Sequence, residues 1–446
     1  MATRTEKPAA MHAFANAFDK VSARGGAESL RALRRRAFTL FSEAGLPTTR
    51  QEEWRFTNVS SIGKLEFAVD GEDRSSLPSP GSAGDSLAGV NALRVGLIDG
   101  HWVDQREGIQ GLPAGVHVLP LHRAAERISG DLLARLGGIT DMESNAFAAL
   151  NTSLFGDGVL IVVPDGVVLD RPLEIDMLST AGTKGVPRAV FPRILVIAGR
   201  NSSLSLVEVY RGSGAGLTDT VVEIYVAEGA KVEHDRLQAE SLEQYHINTM
   251  SVRQEQGSVF TSNAITFGGS LVRNGIQVTL AGPGAECTLN GLSIGTGAQH
   301  IDNHTTIDHA AELCTSHELY KTILDGSAHG VFNGKIFVRP GAQKTDAKQT
   351  NKTILLSDAA LMNTKPQLEI FADDVKCTHG ATVGQLDDEQ LFYLRARGIG
   401  KDEARDMLTL AFANDVVSRV HVDAVREHLD QLLRLRLEGG RNKERR

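Results

Sequence analysis

Two stretches follow one plan: ILVIAGRNSSLSLVEVY (residues 194–210) and VVEIYVAEGAKVEHDRL (residues 221–237). Each is an apolar run, a corner of small residues, then a more polar run. Side chains that alternate with period two mark strands, because neighbours along a strand point to opposite faces. The plan begins near Gly158, where GVLIVVPDGVVLDRPLEI (158–175) turns at Pro164–Asp165–Gly166. It recurs in IQVTLAGPGAECTLNGLSI (276–294) and KIFVRPGAQKTDAKQTNKTILL (335–356). With the small corner residue as marker, Ser203, Ala230, Ser258, Ala285 and Ala311 fall 27, 28, 27 and 26 residues apart. Ala328, Ala342 and Ala360 follow at shorter intervals. Near-constant spacing marks stacked repeats, in which each coil buries its inward residues against its neighbours. The expected fold is mainly β: a central parallel β-helix (solenoid) over residues 151–386, flanked by α-helical regions. A β-sandwich would not need constant spacing, and the six-residue pattern of a left-handed hexapeptide solenoid is absent.

Residues 1–150 read as a mainly helical region. Phe14, Phe18, Val21, Leu30, Leu33 and Phe38 recur at helical spacing, and Gly25–Gly26 splits them into two helices. Arg34–Arg35–Arg36 reads as a solvated helix face. Trp54 and Phe56 would share a face in an extended segment and pack at a domain junction. Residues 70–92 have a Gly/Ser/Pro-rich linker composition, a small hairpin is expected at 93–103, and residues 119–150 look helical again. Beyond the solenoid, residues 387–446 read as three helices, starting at Asp387, Gly400 and Asp423, and a disordered basic tail, RNKERR.

The 446 residues carry a formal net charge of −8, which gives no support to a nucleic-acid partner. No apolar run is long enough for a membrane span and no secretory h-region is seen at the N-terminus. Cys287, Cys314 and Cys377 are odd in number and widely spaced. They argue against a disulfide framework and against a self-sufficient four-cysteine site, and they suit a reducing cytoplasmic setting.

The chemistry-bearing motif is Cys377-Thr378-His379. In an extended strand both side chains face one way, with Cα atoms roughly 6.5–7 Å apart. That suits two ligands of one metal or cluster, although a free cysteine more often packs as a small hydrophobe. Lys376 would face away, so its effect on the thiol is weak. The chain is expected to turn at Gly380 and Gly384. His300, His304, His309, His317 and His329 form a second grouping, read as coil or interface positions ahead of metal ligands. Lys344, Asp346, Lys348, Gln349 and Asn351 read as a hydrogen-bonded polar ladder rather than an acidic active site. Neither a P-loop nor a dinucleotide fingerprint is present.

The run DDVKCTHGATVGQLDDEQLFYLRARGI (373–399), with its continuation upstream to Gly295, resembles the signature of the SufB/SufD family, scaffold proteins of the SUF iron–sulfur cluster assembly system. RQEEWRFTNVS (50–60) resembles the SufD branch. The resemblance implies a non-enzymatic scaffold whose cargo is a nascent iron–sulfur cluster, transient and shared with a SufB paralogue. It implies association of the two β-helices, and docking of the ATPase SufC on the C-terminal helices (about 387–437), with ATP hydrolysis supplied in trans. His379 matches the family's interfacial histidine and is the candidate metal ligand, and Cys377 matches the cysteine beside it. The alternatives are a SufB-type member of the same family and a polysaccharide-acting β-helix enzyme.

Overall fold

The computed structural model describes residues 8–23, 28–69, 87, 91–103, 109, 111–127, 134–182 and 185–444. The expected break at Gly25–Gly26 and nearly all of the 70–92 linker lie outside the described residues. Two mostly parallel sheets, of eleven and ten strands, run the length of the body and end on strands Leu361–Ile370 and Lys376–Gly384. From Arg193 onward the chain passes from one sheet to the other and back, so each coil gives one strand to each sheet. This is the expected parallel β-helix.

Pairing runs in register, with Lys231, Val259, Glu286, Thr315, Asp346 and Lys376 in one row. Ala230, Ser258 and Ala285 are buried corner residues, as their spacing predicts. The first marker is Ser202 rather than Ser203, and Cys314 takes the position assigned to Ala311. Ala328 and Ala360 pack together at one corner and Ala342 at another. The shortened intervals therefore came from counting two corners as one; steps in the register row run 28, 27, 29, 31 and 30.

The interior is apolar at its sides, with Val222, Ile224, Phe260, Leu289, Tyr320 and Phe332 in one cluster. A buried polar network crosses it. Tyr210 donates to Glu208 at 2.8 Å, Arg236 donates to Asn274 at 2.6 Å and to His246, and His246 Nδ1 meets Glu240 at 2.6 Å.

Both outer faces are covered. Helices Ala9–Ala23, Glu28–Ala44 and Ala146–Leu154 bring Phe14, Phe41 and Phe147 onto Leu195, Leu217 and Ile247 of the eleven-stranded sheet. Helices Lys401–Val417 and Asp423–Glu444 set Ala413, Val416 and Leu429 against Val209, Leu237 and Leu292 of the other.

Four local expectations are corrected. Residues 117–120 form a strand antiparallel to 159–162, so helix occupies only Leu121–Arg127 and Ala146–Leu154 of the 119–150 span among the described residues. Arg34 is buried: it donates to the Phe155 carbonyl at 2.8 Å and lies over the Phe155 ring, while only Arg35 and Arg36 face solvent, paired with Glu28 and Glu143. Glu52–Trp54 is a 3₁₀ turn, which sends Trp54 inward over the Arg273 guanidinium and leaves Phe56 exposed. The last helix continues to Glu444, into the basic tail.

Arg193 fastens helix Ala146–Leu154 to the solenoid. It is fully buried, donates to Thr152 at 2.8 Å and pairs with Glu223, while Asn151 donates to the carbonyls of Pro192 and Asp219. Removing one partner of a buried ion pair strands the other charge. Arg193→Met is expected to destabilise the protein by about 3–5 kcal/mol in chemical unfolding followed by circular dichroism. An unchanged midpoint would contradict this account of the junction.

Candidate functional site

The site grows from the last strand, Lys376–Gly384. Its entry is pinned by three hydrogen bonds: Lys344 N–H to the Asp374 carbonyl (2.7 Å), Asp374 N–H to Gln343 Oε1 (3.0 Å), and Lys376 N–H to the Thr345 carbonyl (2.8 Å). The strand then runs straight through Gly380 to Gly384, without the expected turns. A parallel partner on one side holds it extended, and at neither glycine does the backbone take a positive φ.

Register decides where the two candidate ligands point. Cys377 pairs with Ala347, which continues the inward row Ser316–Cys287. The thiol packs beside Ile336, Val338 and Ala372, half-buried at the mouth of the solenoid. Burial pushes its pKa above the usual thiol range, the Ala347 backbone opposes this, and the Asp346 carboxylate adds to it. His379 pairs with Gln349, and Gln349 with Glu318, so the imidazole also stands in an inward-facing row. Gln349 and Glu318 are buried, whereas His379 is exposed, because among the described residues no coil covers the last strand. The structure thus puts Cys377 and His379 on one face, and that face is the open end of the interior.

The five-histidine grouping is divided. His300 and His329 share a register position on an outer face, with ring centroids 4.7 Å apart; His300 meets Thr57 at 2.9 Å and burial lowers its pKa to about 4. His304 lies between Asp302 and Glu53. His309 points inward to Ser316 at 2.9 Å, and burial also takes its pKa to about 4. His317 is exposed on the outer face of the opposite sheet. Among the described residues no three His, Cys, Asp or Glu side chains gather closely enough to hold a metal ion.

The polar ladder over residues 344–351 is present: Gln349 Nε2 donates to Glu318 at 2.6 Å and Asn351 Nδ2 to the Tyr320 carbonyl at 3.3 Å. Sequence reasoning passed over Glu318. Its burial raises its pKa to about 7, against hydrogen bonds from Thr305 and Gln349. The signal was available, since residues 318, 349 and 379 lie about one coil apart.

The C-terminal helices present a second exposed surface. Phe392 and Tyr393 on helix Asp388–Ala396 are 74% and 56% exposed, beside a cleft of about 470 Å³ lined by Asp387, Gln390, Leu394 and Leu408. Among the described residues no helix is long and apolar enough to cross a membrane.

Comparison with known proteins gives two family matches: residues 179–412 to the SufBD core domain of SUF-system FeS cluster assembly proteins, and residues 10–175 to the SufBD protein N-terminal region. Relatives include a SufBD family iron–sulfur cluster assembly protein of Synechocystis, 31% identical over 90% of either chain. The iron–sulfur cluster assembly protein SufD of Escherichia coli is 30% identical over 89% of this chain and 90% of its own. The chloroplastic protein ABCI7 of Arabidopsis thaliana is 30% identical over 87% and 82%.

With Cys287 and Cys314 buried and Cys377 at the mouth, the thiols differ in access as well as acidity. Iodoacetamide is expected to modify Cys377 first in the native protein, with the rise in rate displaced to higher pH than for a free thiol because burial disfavours the thiolate. Peptide mass mapping would check both points; equal labelling of the three cysteines would refute the placement.

Proposed function

Since the chain belongs to the SufBD family of iron–sulfur cluster assembly proteins, we propose that it serves as a SufD-like scaffold subunit contributing His379 to a cluster-assembly site shared with a SufB paralogue. The carrying observation is the open coil. Two ligand-capable side chains face out of a solenoid end that no further strand covers among the described residues, flanked by the outer edges of two sheets. Exposed strand edges are templates for pairing with another chain. Leu361, Ile370, Phe371 and Val383 are exposed along that last coil, and their apolar surface favours burial against a partner. Two ligands cannot complete the four-thiolate shell usual for a cluster, so the nascent cluster, as cargo, would draw its remaining ligands from the partner.

His379 would act as a cluster ligand in its neutral form, with one ring nitrogen free. Cys377 ranks below it, because a thiol held protonated binds metal only after losing its proton. The β-helix core, residues 151–386, would carry the cluster site, and the helical region 387–446 would dock the ATPase SufC, which would supply ATP hydrolysis in trans. Exposed Phe392 and Tyr393 support that placement.

His379→Ala is expected to lower cluster yield on anaerobic reconstitution of the co-purified complex, read by visible absorbance, with assembly of the complex intact; wild-type yield would remove His379 from the chemistry. Deleting the residues after Leu386 is a poor test of ATPase docking, because it would strip the apolar cover from Val209, Leu237 and Leu292. Phe392→Ala with Tyr393→Ala leaves that cover in place. The double variant is expected to weaken capture of the ATPase subunit at least tenfold in a pull-down, with circular dichroism unchanged; undiminished capture would refute the placement.

A further inference from the structure

We propose that Gln349 is a positioning residue for His379: its side-chain carbonyl accepts the ring N–H of His379, fixes the imidazole tautomer, and leaves the other ring nitrogen free at the solenoid mouth. The proposal rests on the reading of His379 given above and adds the residues beneath it. Gln349 is the register partner of His379, one strand spacing of about 4.8 Å below it, on the same inward face. Its amide is fixed at one end, since Nε2 donates to Glu318 Oε2 at 2.6 Å. Its other end, Oε1, is buried and has no hydrogen-bond partner among the described residues. Leaving a buried carbonyl unpaired is costly, so a donor within reach is drawn to it. In the row, the donor standing above Gln349 is the imidazole of His379.

The pocket that holds the amide is shaped for it. A Cβ at Gly334, across the interior, would lie 2.3 Å from Gln349 Nε2 and 2.7 Å from the Phe332 ring. A Cβ at Gly291 would lie 2.3 Å from the Tyr320 ring, next to Glu318 on its own strand. Gly334 thus makes room for the Gln349 amide, and Gly291 for the Tyr320 ring beside the pair. Glu318 sets the polarity of the chain: as acceptor it takes the amide N–H, so Gln349 can offer only its carbonyl upward. A metal-binding histidine usually donates its second N–H to a carbonyl or carboxylate that orients the ring. The row His379–Gln349–Glu318 supplies that arrangement from three successive coils.

The test uses the full chain labelled with ¹⁵N-histidine, with the His379 ring assigned by its loss in His379→Ala. Long-range ¹H–¹⁵N spectra at pH 8 report the tautomer without any cluster present. Wild type is expected to show a single tautomer. Gln349→Met, which keeps the shape and deletes the acceptor, is expected to give a two-tautomer mixture. Glu318→Met, which releases the amide, is expected to shift the ratio the same way, and Glu318→Gln, which can donate as well as accept and so no longer fixes the polarity of the amide, to shift it part of the way. The Glu318 pair keeps the test decisive if Gln349→Met fails to fold. A tautomer ratio identical in wild type, Gln349→Met and Glu318→Met overturns the proposal. If the ratio responds while His379→Ala assembles clusters normally, the hydrogen bond stands and the cluster role of His379 falls.

Discussion

A side chain inside this solenoid stands directly above the one a coil earlier, because its parallel strands pair row on row from Lys231 to Lys376. Every inward position is therefore buried by two neighbours, except in the last coil, which has one. That difference separates buried Gln349 from exposed His379, and buried Ala347 from half-buried Cys377, although each pair shares a row and a facing. The accessibility of these two side chains comes from the position of the coil in the stack. The same two residues three coils earlier would occupy core positions.

The interior is costlier than an apolar stack would be. Glu208, Arg236, Glu240 and His246 are removed from water, and burying a charge is tolerable only where partners replace its hydration. They interlock: Arg236 donates to His246, His246 turns its other nitrogen to Glu240, and Glu240 also takes hydrogen bonds from Thr218 and Gln238. Burial lowers the pKa of His246 against the pull of Glu240, which suits a neutral ring that accepts from arginine and donates to carboxylate. Such a network fits only one register, because a slip by one residue would turn Arg236 to the outer face.

The β-helix was legible because its two signals, alternation within strands and a near-constant coil length, are local and repeated. Cys377 and His379 were legible as a same-face pair for the same reason. The glycines after them misled: Gly380 and Gly384 read as turns, but a parallel neighbour keeps the backbone extended. Corner counting failed beyond Ala285, because Cys314 replaced the small residue and two different corners both carried alanine. Once the coil length was lost, Glu318 could not be aligned under Gln349 and His379. Arg34 shows the other limit: whether an arginine in a basic run is solvated or buried over Phe155 depends on a contact 121 residues away.

Strand Thr315–Leu324 joins the two surfaces proposed above for partners. Its inward face carries Glu318, at the foot of the row under His379. Its outward face carries Lys321, whose ammonium donates to the Phe412 carbonyl at 3.0 Å, lies over the Phe412 ring and pairs with Asp415 at 2.7 Å on helix Lys401–Val417. That helix packs against the one bearing Phe392 and Tyr393. A subunit bound to those aromatics would thus stand one helix and one strand away from the base of the histidine row. Close-packed elements transmit small displacements rather than absorb them. Were the proposed ATPase subunit to displace those helices, the displacement would have a short physical route to the histidine row, with Lys321 and Glu318 on the two faces of a single strand.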